Sequence, residues 1–254
     1  MTASTVLVLP FVAAAGLYAV AVRVTRRRRT WPWSRLLLWC TGLALCLGAV
    51  AGPLAEHAEH SLPAHMVGHL LLGMAGPLLL VLATPVTLAL RALPVRAARA
   101  LVRVLSSHPV RFLTHPLTAG VMNLGGLWLL YATPLLAHLH EHRLLHVLVH
   151  VHVLVWGYLF TAAVLGLDPD PHRPGRPYRA AVLAAFVAGH AILAKFLYGH
   201  PPSGVSSADA ERGAMVMYYG GDVVDGALLV LFCHGWYVAS RPRPRLSSPG
   251  LARH

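Results

Sequence analysis

Charge is what this chain has least of. Aspartate and glutamate together number nine, the only lysine is Lys195, and all charged residues make up 12% of 254. Soluble domains carry roughly 25%, so an ordinary soluble domain is excluded. Cysteine is also scarce. Cys40, Cys46 and Cys233 fall inside apolar segments with no CxxC spacing, which excludes a disulfide scaffold or a thiolate metal site and leaves them as small buried hydrophobes. No polar stretch is long enough for a separate soluble domain, and no internal repeat is visible.

What the chain has instead is oil. Hydrophobic residues reach 56% and the mean hydropathy is +0.60. A helix needs roughly 20 apolar residues to cross a bilayer, and seven segments qualify, at about 4–22, 34–53, 65–90, 116–134, 143–165, 180–198 and 213–239. The expectation is an all-α, polytopic membrane helical bundle of seven transmembrane helices. It forms a single domain over 1–240, followed by a disordered cytoplasmic tail, 241–254, rich in Pro, Arg and Ser.

The net charge of +12 would point to nucleic acid in a soluble protein. Here the positive charge alternates by loop, so the partner it implies is the lipid bilayer and not nucleic acid. Arg23 and Arg26 to Arg29 follow the first span, and Arg91, Arg96, Arg99, Arg103 and Arg111 follow the third. Arg173, Arg176 and Arg179 follow the fifth, and Arg241, Arg243 and Arg245 the seventh. The other loops carry Glu56, Glu59, Glu141, Asp209 and Glu211. By the positive-inside rule the N-terminus lies outside and the C-terminus in the cytoplasm. The segment from Met1 to Val22 has its arginines after it and none before, the reverse of a cleaved secretory signal. Arginine used almost to the exclusion of lysine fits a GC-rich bacterial genome, and the location expected is the bacterial plasma membrane, multi-pass.

Pro77 and Pro85 interrupt the third span, and kinks there should face protein, because the freed carbonyls need partners. The stretch 91–112 alternates arginines with apolar residues at helical spacing and reads as one interfacial amphipathic helix. The segment 166–179 is a proline-rich loop.

Histidine is abundant, with 17 residues gathered mostly at one depth. His65 and His69 lie one turn apart on the third helix, and His142, His146 and His150 repeat that i, i+4 spacing at the start of the fifth, which puts each set on one helix face. If those helices pack together, four imidazoles converge near the outer surface. Neutral imidazole ligates copper, zinc, iron and nickel, so His65, His69, His146 and His150 are candidate ligands for a metal or a haem. His57, His60, His138, His140 and His142 divide between a looser metal-collecting role and solvated loop histidines. Met66 beside His65, and Met215 and Met217 on the last helix, add thioethers, which with imidazole favour Cu(I). Asp222 and Asp225 lie within one span and need a partner there, for which His190 and Lys195 on the preceding helix are the candidates.

These residues carry a resemblance. His65-Met66-Val67-Gly68-His69-Leu70-Leu71-Leu72, then Ala75-Gly76-Pro77-Leu78-Leu79 and Thr84-Pro85, resemble the HMxxHLLL…PLLL…P signature of the CtaG-type cytochrome c oxidase assembly factors, which are seven-helix membrane proteins. His115-Pro116-Leu117, Pro134, Leu145-His146 with His150, and Asp209, Gly213 and Met217 continue it. Ala210 and Tyr218 stand where that family has glutamine and tryptophan. Its histidine before Pro134 is absent, with Tyr131 and Thr133 nearby, and His138 falls near where it has an aspartate. The resemblance implies a factor needed to build an active terminal oxidase, at the step of supplying copper, with oxidase subunits as partners and no enzymatic activity. The metal candidates carried forward are His65, His69, His146, His150, Met66, His138, His142, Asp209 and Met217.

Three other readings fit some of the same residues. Two histidines on facing helices suit a haem-binding electron carrier. A metal permease would use Asp222, Asp225 and His190 in mid-membrane. A membrane iron hydroxylase also uses HxxxH boxes, but places them on the cytoplasmic side with an HxxHH element that this sequence lacks.

Overall fold

The structure, a computed structural model, describes residues 3–27, 29–138, 142–170 and 172–241. Among these, every regular element is helical: α1 (Ala3–Arg26), α2 (Trp33–Val50), α3 (Pro53–Ala58), α4 (Leu62–Leu70), α5 (Gly76–Leu82), α6 (Pro85–Ala92), α7 (Val95–Leu105), α8 (His108–Leu113), α9 (Pro116–Ala132), α10 (Leu135–His138), α11 (Arg143–Leu165), α12 (Arg176–Gly199) and α13 (Ser207–Ser240). A π-helical segment, Leu71–Ala75, joins α4 to α5. Apart from Arg241, the expected tail lies outside the described residues, as do His140 and Glu141.

Six helical stretches are long and apolar enough to cross a membrane: Val8–Arg26, Trp33–Val50, Leu62–Leu82, Arg143–Leu165, Arg176–Gly199 and Ser207–Ser240. The remaining expected span, 116–134, is the 17-residue α9, shorter than these six. The third span ends earlier than the sequence indicated. It stops at Leu82, and Thr84 takes a left-handed conformation (φ 51°) before Pro85 opens a separate helix. A residue before proline is pushed out of the helical region, so the chain breaks here where a kink was expected. Both ends of the break are closed by side chains. The Tyr18 hydroxyl donates to the Ala83 carbonyl at 3.0 Å. The Asp168 carboxylate accepts from the backbone N–H groups of Val86 (3.3 Å) and Thr87 (2.8 Å) and from the Thr87 hydroxyl (2.6 Å). The amphipathic stretch is likewise two short helices, α7 and α8, separated at Ser106–Ser107.

α4 and its π-helical continuation form the centre of the bundle, with α13, α11 and α2 packed around them. Pro77 is buried and sits just beyond the π turn. It has no N–H to give the Gly73 carbonyl, so that carbonyl is left to find a neighbour. The neighbour is Gly157 on α11, whose backbone lies so near that a Cβ there would collide with the Gly73 oxygen. The kink therefore faces protein, as the chemistry of the bilayer interior demands, and the glycine is what lets α11 approach.

Gly157→Ala should lower the unfolding temperature of the detergent-solubilised protein, by the equivalent of about 1–3 kcal/mol for an overpacked contact. Gly226→Ala, where nothing lies within 4 Å of the new methyl, should leave it unchanged or raise it, as a helix gains from alanine. Equal behaviour of the two variants would contradict the close approach.

Candidate metal-binding cavity

The broken third span aims its histidines at one place. Leu62 opens α4, and its N–H donates to the Asp209 carboxylate at 3.0 Å. Asp209 in turn sits in the first turn of α13, its own N–H on the Ser206 hydroxyl. This long-range cap satisfies one of the unpaired amides at a helix start and holds α4 against α13. Asp209 therefore does structural capping work at the edge of the site.

One turn into α4, His65 lies between two spaces. On one side is a vestibule of about 620 Å³ bordered by Glu59, His60, Ser61, Leu136, Ser203 and Asp209. On the other is a cavity of about 40 Å³ that His65 shares with His69, Tyr131 and His150 among apolar walls from α2, α9 and α11. The Tyr131 hydroxyl is 3.2 Å from His65 Nε2, and its ring meets those of His65 and His69 edge-on. His69 is 7% exposed, and neither of its ring nitrogens has a hydrogen-bond partner among the described residues. Leaving a buried polar group unpaired costs about 1–3 kcal/mol, so a histidine held this way needs a reason other than stability.

On α11, His150 and His146 stack with ring centres 4.2 Å apart. His150 Nδ1 lies 2.8 Å from the His146 carbonyl. A carbonyl can only accept, so Nδ1 carries the proton and Nε2 the lone pair, the tautomer of a metal-ligating imidazole oriented by a backbone oxygen.

The structure thus brings His65, His69 and His150 around one cavity, with His146 stacked beside it. It does not bring the rest of the candidate set there. Met66 and Met217 are wholly buried in the apolar core between α4 and α13 and do not line the cavity. His138 is exposed with Nδ1 on the Pro134 carbonyl at 2.9 Å, and His142 is exposed at the N-cap of α11. Among the described residues no three histidine, cysteine or acidic side chains stand close enough together to form a complete metal cage as placed. Tyr131 was not among the sequence candidates. Its signal was its place just before Pro134, near where the resembling family has a histidine. The expected partner for Asp225 is present: His190 Nδ1 lies 3.7 Å from its carboxylate. Lys195 instead sits over the Tyr218 ring.

Residues 16–239 match the cytochrome c oxidase caa3 assembly factor family, Caa3_CtaG. The chain belongs to that family. It is 37% identical over 184 residues to uncharacterized proteins of Mycobacterium bovis and Mycobacterium tuberculosis, covering 69% of this chain and 28% of each relative. A Mycobacterium leprae protein is 33% identical over 190 residues, covering 70% of this chain and 28% of its own length. The chain therefore spans well under a third of these relatives. No solved structure matches it.

A buried imidazole without partners predicts its own signature. His69→Leu should leave the metal-free protein as stable as the parent, or more stable by up to about 2 kcal/mol, because an unpaired polar group is exchanged for an apolar one. Thermal unfolding in detergent checks this, and a drop of several degrees would show that His69 serves the fold.

Proposed function

We propose that this family member works in the bacterial plasma membrane as a non-catalytic assembly factor that binds copper and passes it to a cytochrome c oxidase subunit. The observation that carries this reading is the cavity where His65, His69 and His150 meet, bordered through His65 by a larger vestibule, in a chain of an oxidase assembly family. The donor set is chemically suited to its cargo. Neutral imidazoles bind copper, and three of them around a small space at the end of an open approach favour moderate affinity and ligand exchange over permanent capture.

In this reading α9 is the fourth of seven spans, the N-terminus is outside, and the vestibule faces outward. The alternation of arginine-rich and arginine-poor loops supports this orientation. The exposed arginines of α7, which buries none of its residues, then lie at the cytoplasmic headgroups. Cargo enters the vestibule, meets His65, and exchanges onto His69 and His150. The Tyr131 hydroxyl positions the His65 ring for the transfer. A haem is disfavoured as the ligand because the cavity, at about 40 Å³, has room for an ion or a water or two and not for a porphyrin.

His69→Ala and His150→Ala should each weaken Cu(I) binding by about tenfold or more and lower the copper content and activity of the oxidase in membranes, with the protein still inserted. A Cu(I) competition titration on purified protein and oxidase assays on the corresponding cells read both effects. Fully copper-loaded oxidase in both variants would overturn the proposal.

A further inference from the structure

Behind the cavity lies a second group of polar side chains that the outer histidines do not account for. His190, in the middle of α12, is 2% exposed, and Asp225 on α13 is 4% exposed. His190 Nδ1 faces the carboxylate at 3.7 Å, a separation longer than a hydrogen bond, and the neutral tautomer that suits the carboxylate carries its proton on Nδ1 and its lone pair on Nε2. Nε2 of His190, Oδ2 of Asp225 and both ring nitrogens of His69 have no hydrogen-bond partner among the described residues. A purely structural buried network closes its hydrogen bonds, and this one does not.

The centres of His69 and His190 are 6.1 Å apart with their planes tilted by 36°. A metal–imidazole nitrogen bond is roughly 2.0 Å and the ring centre lies roughly 1.2 Å behind the nitrogen, so two imidazoles on opposite sides of one ion have centres roughly 6.4 Å apart. The backbone makes room for both rings. A Cβ at Gly221 would come within 2.5 Å of His190 Cε1, and one at Gly73 within 3.4 Å of the His69 ring. The Phe186 ring, parallel to His190 within 4°, fixes its plane.

Charge selects the ion. An uncompensated charge in the membrane interior is heavily penalised. The one buried carboxylate, Asp225, neutralises a monovalent cation and would leave a divalent one with an excess positive charge; Asp222, one turn earlier, lies within electrostatic reach of His190 but on the exposed side of α13, outside the buried site. Two facing imidazoles, with no group of three histidine, cysteine or acidic side chains among the described residues, also suit an ion content with low coordination.

We propose that His69 and His190 form an inner, two-coordinate site for a monovalent soft metal ion of the Cu(I) class, with Asp225 orienting His190 and balancing the charge. The inner site extends the cargo reading above and rests on it for the identity of the ion, but it requires neither His65 nor His150. His69 is then the shared ligand through which an ion moves from the outer cavity to the inner position.

The test is copper K-edge X-ray absorption on the full chain in detergent, loaded with one equivalent of Cu(I), together with affinity by competition. The expected spectrum is two nitrogen neighbours with the intense edge feature of linear Cu(I). His190→Gln should abolish that feature. Asp225→Asn, which keeps the shape, should retain it but weaken binding by about 10- to 100-fold. The His65→Gln/His150→Gln double variant should keep it. A wild-type first shell of three or four donors, or an unchanged linear signal in His190→Gln, overturns the inner site, and the wild-type spectrum decides this even if His190→Gln does not fold. Copper binding lost in the double variant but intact in His190→Gln would leave the outer cavity standing and the inner site refuted. The linear signal and full affinity kept in the double variant but lost in His190→Gln would do the reverse. No Cu(I) binding by the parent would refute both.

Discussion

A bilayer interior supplies no water, so each polar group placed there must find its partner within the protein. Nearly every irregularity of this bundle answers to that constraint. Pro77 deprives the Gly73 carbonyl of its helical donor, and α11 closes on it through Gly157. The chain breaks at Thr84, and Tyr18 and Asp168 arrive from distant parts of the sequence to satisfy the two new helix ends. α4 begins with an unpaired amide at Leu62, which Asp209 accepts from across the bundle. Against those repairs, His69 stands out because both of its buried ring nitrogens lack a hydrogen-bond partner among the described residues.

The same repairs position the cavity. Asp209 holds the start of α4, the π turn after Leu70 rotates α5 relative to α4, and the contact between Gly73 and Gly157 brings α11 near. His150 thereby reaches the space that His65 and His69 already border. The imidazoles come from α4 and α11, and Tyr131 is added from α9. Ligands carried on separate, tightly packed helices keep their mutual geometry better than ligands on a loop.

Much of this was legible in the residues. The i, i+4 spacing of His65 with His69 and of His146 with His150 was enough to place each pair on one face, and both helices do meet. Periodicity could not say how far each helix is rotated about its axis, which is why His150 lines the cavity while His146 only stacks beside it. Nor could it separate Met66, which shares a helix with His65 but points into the core, from a ligand. Thr84-Pro85 carried the signal of a break, but a kink and a full stop look alike without the side chains that cap the two new ends. Asp209 sat at a recognisable family position, yet its hydrogen bond to Leu62, 147 residues away, is a tertiary fact that no local pattern contains. Tyr131 was visible only as a departure, and its hydroxyl on His65 gives that departure a physical meaning.

The drop in volume across His65, from about 620 Å³ to about 40 Å³, has a consequence for selection. An ion in the vestibule can keep its water shell or travel bound to a small carrier. Beyond His65 there is room for little more than a water molecule or two, so for the proposed cargo the shell would have to be shed at the threshold. Strongly hydrated ions such as magnesium surrender their waters reluctantly and would be turned back by dehydration alone. Ions that trade oxygen for nitrogen readily would pass. A narrowing of this kind would discriminate by the energy of hydration before any ligand preference is consulted.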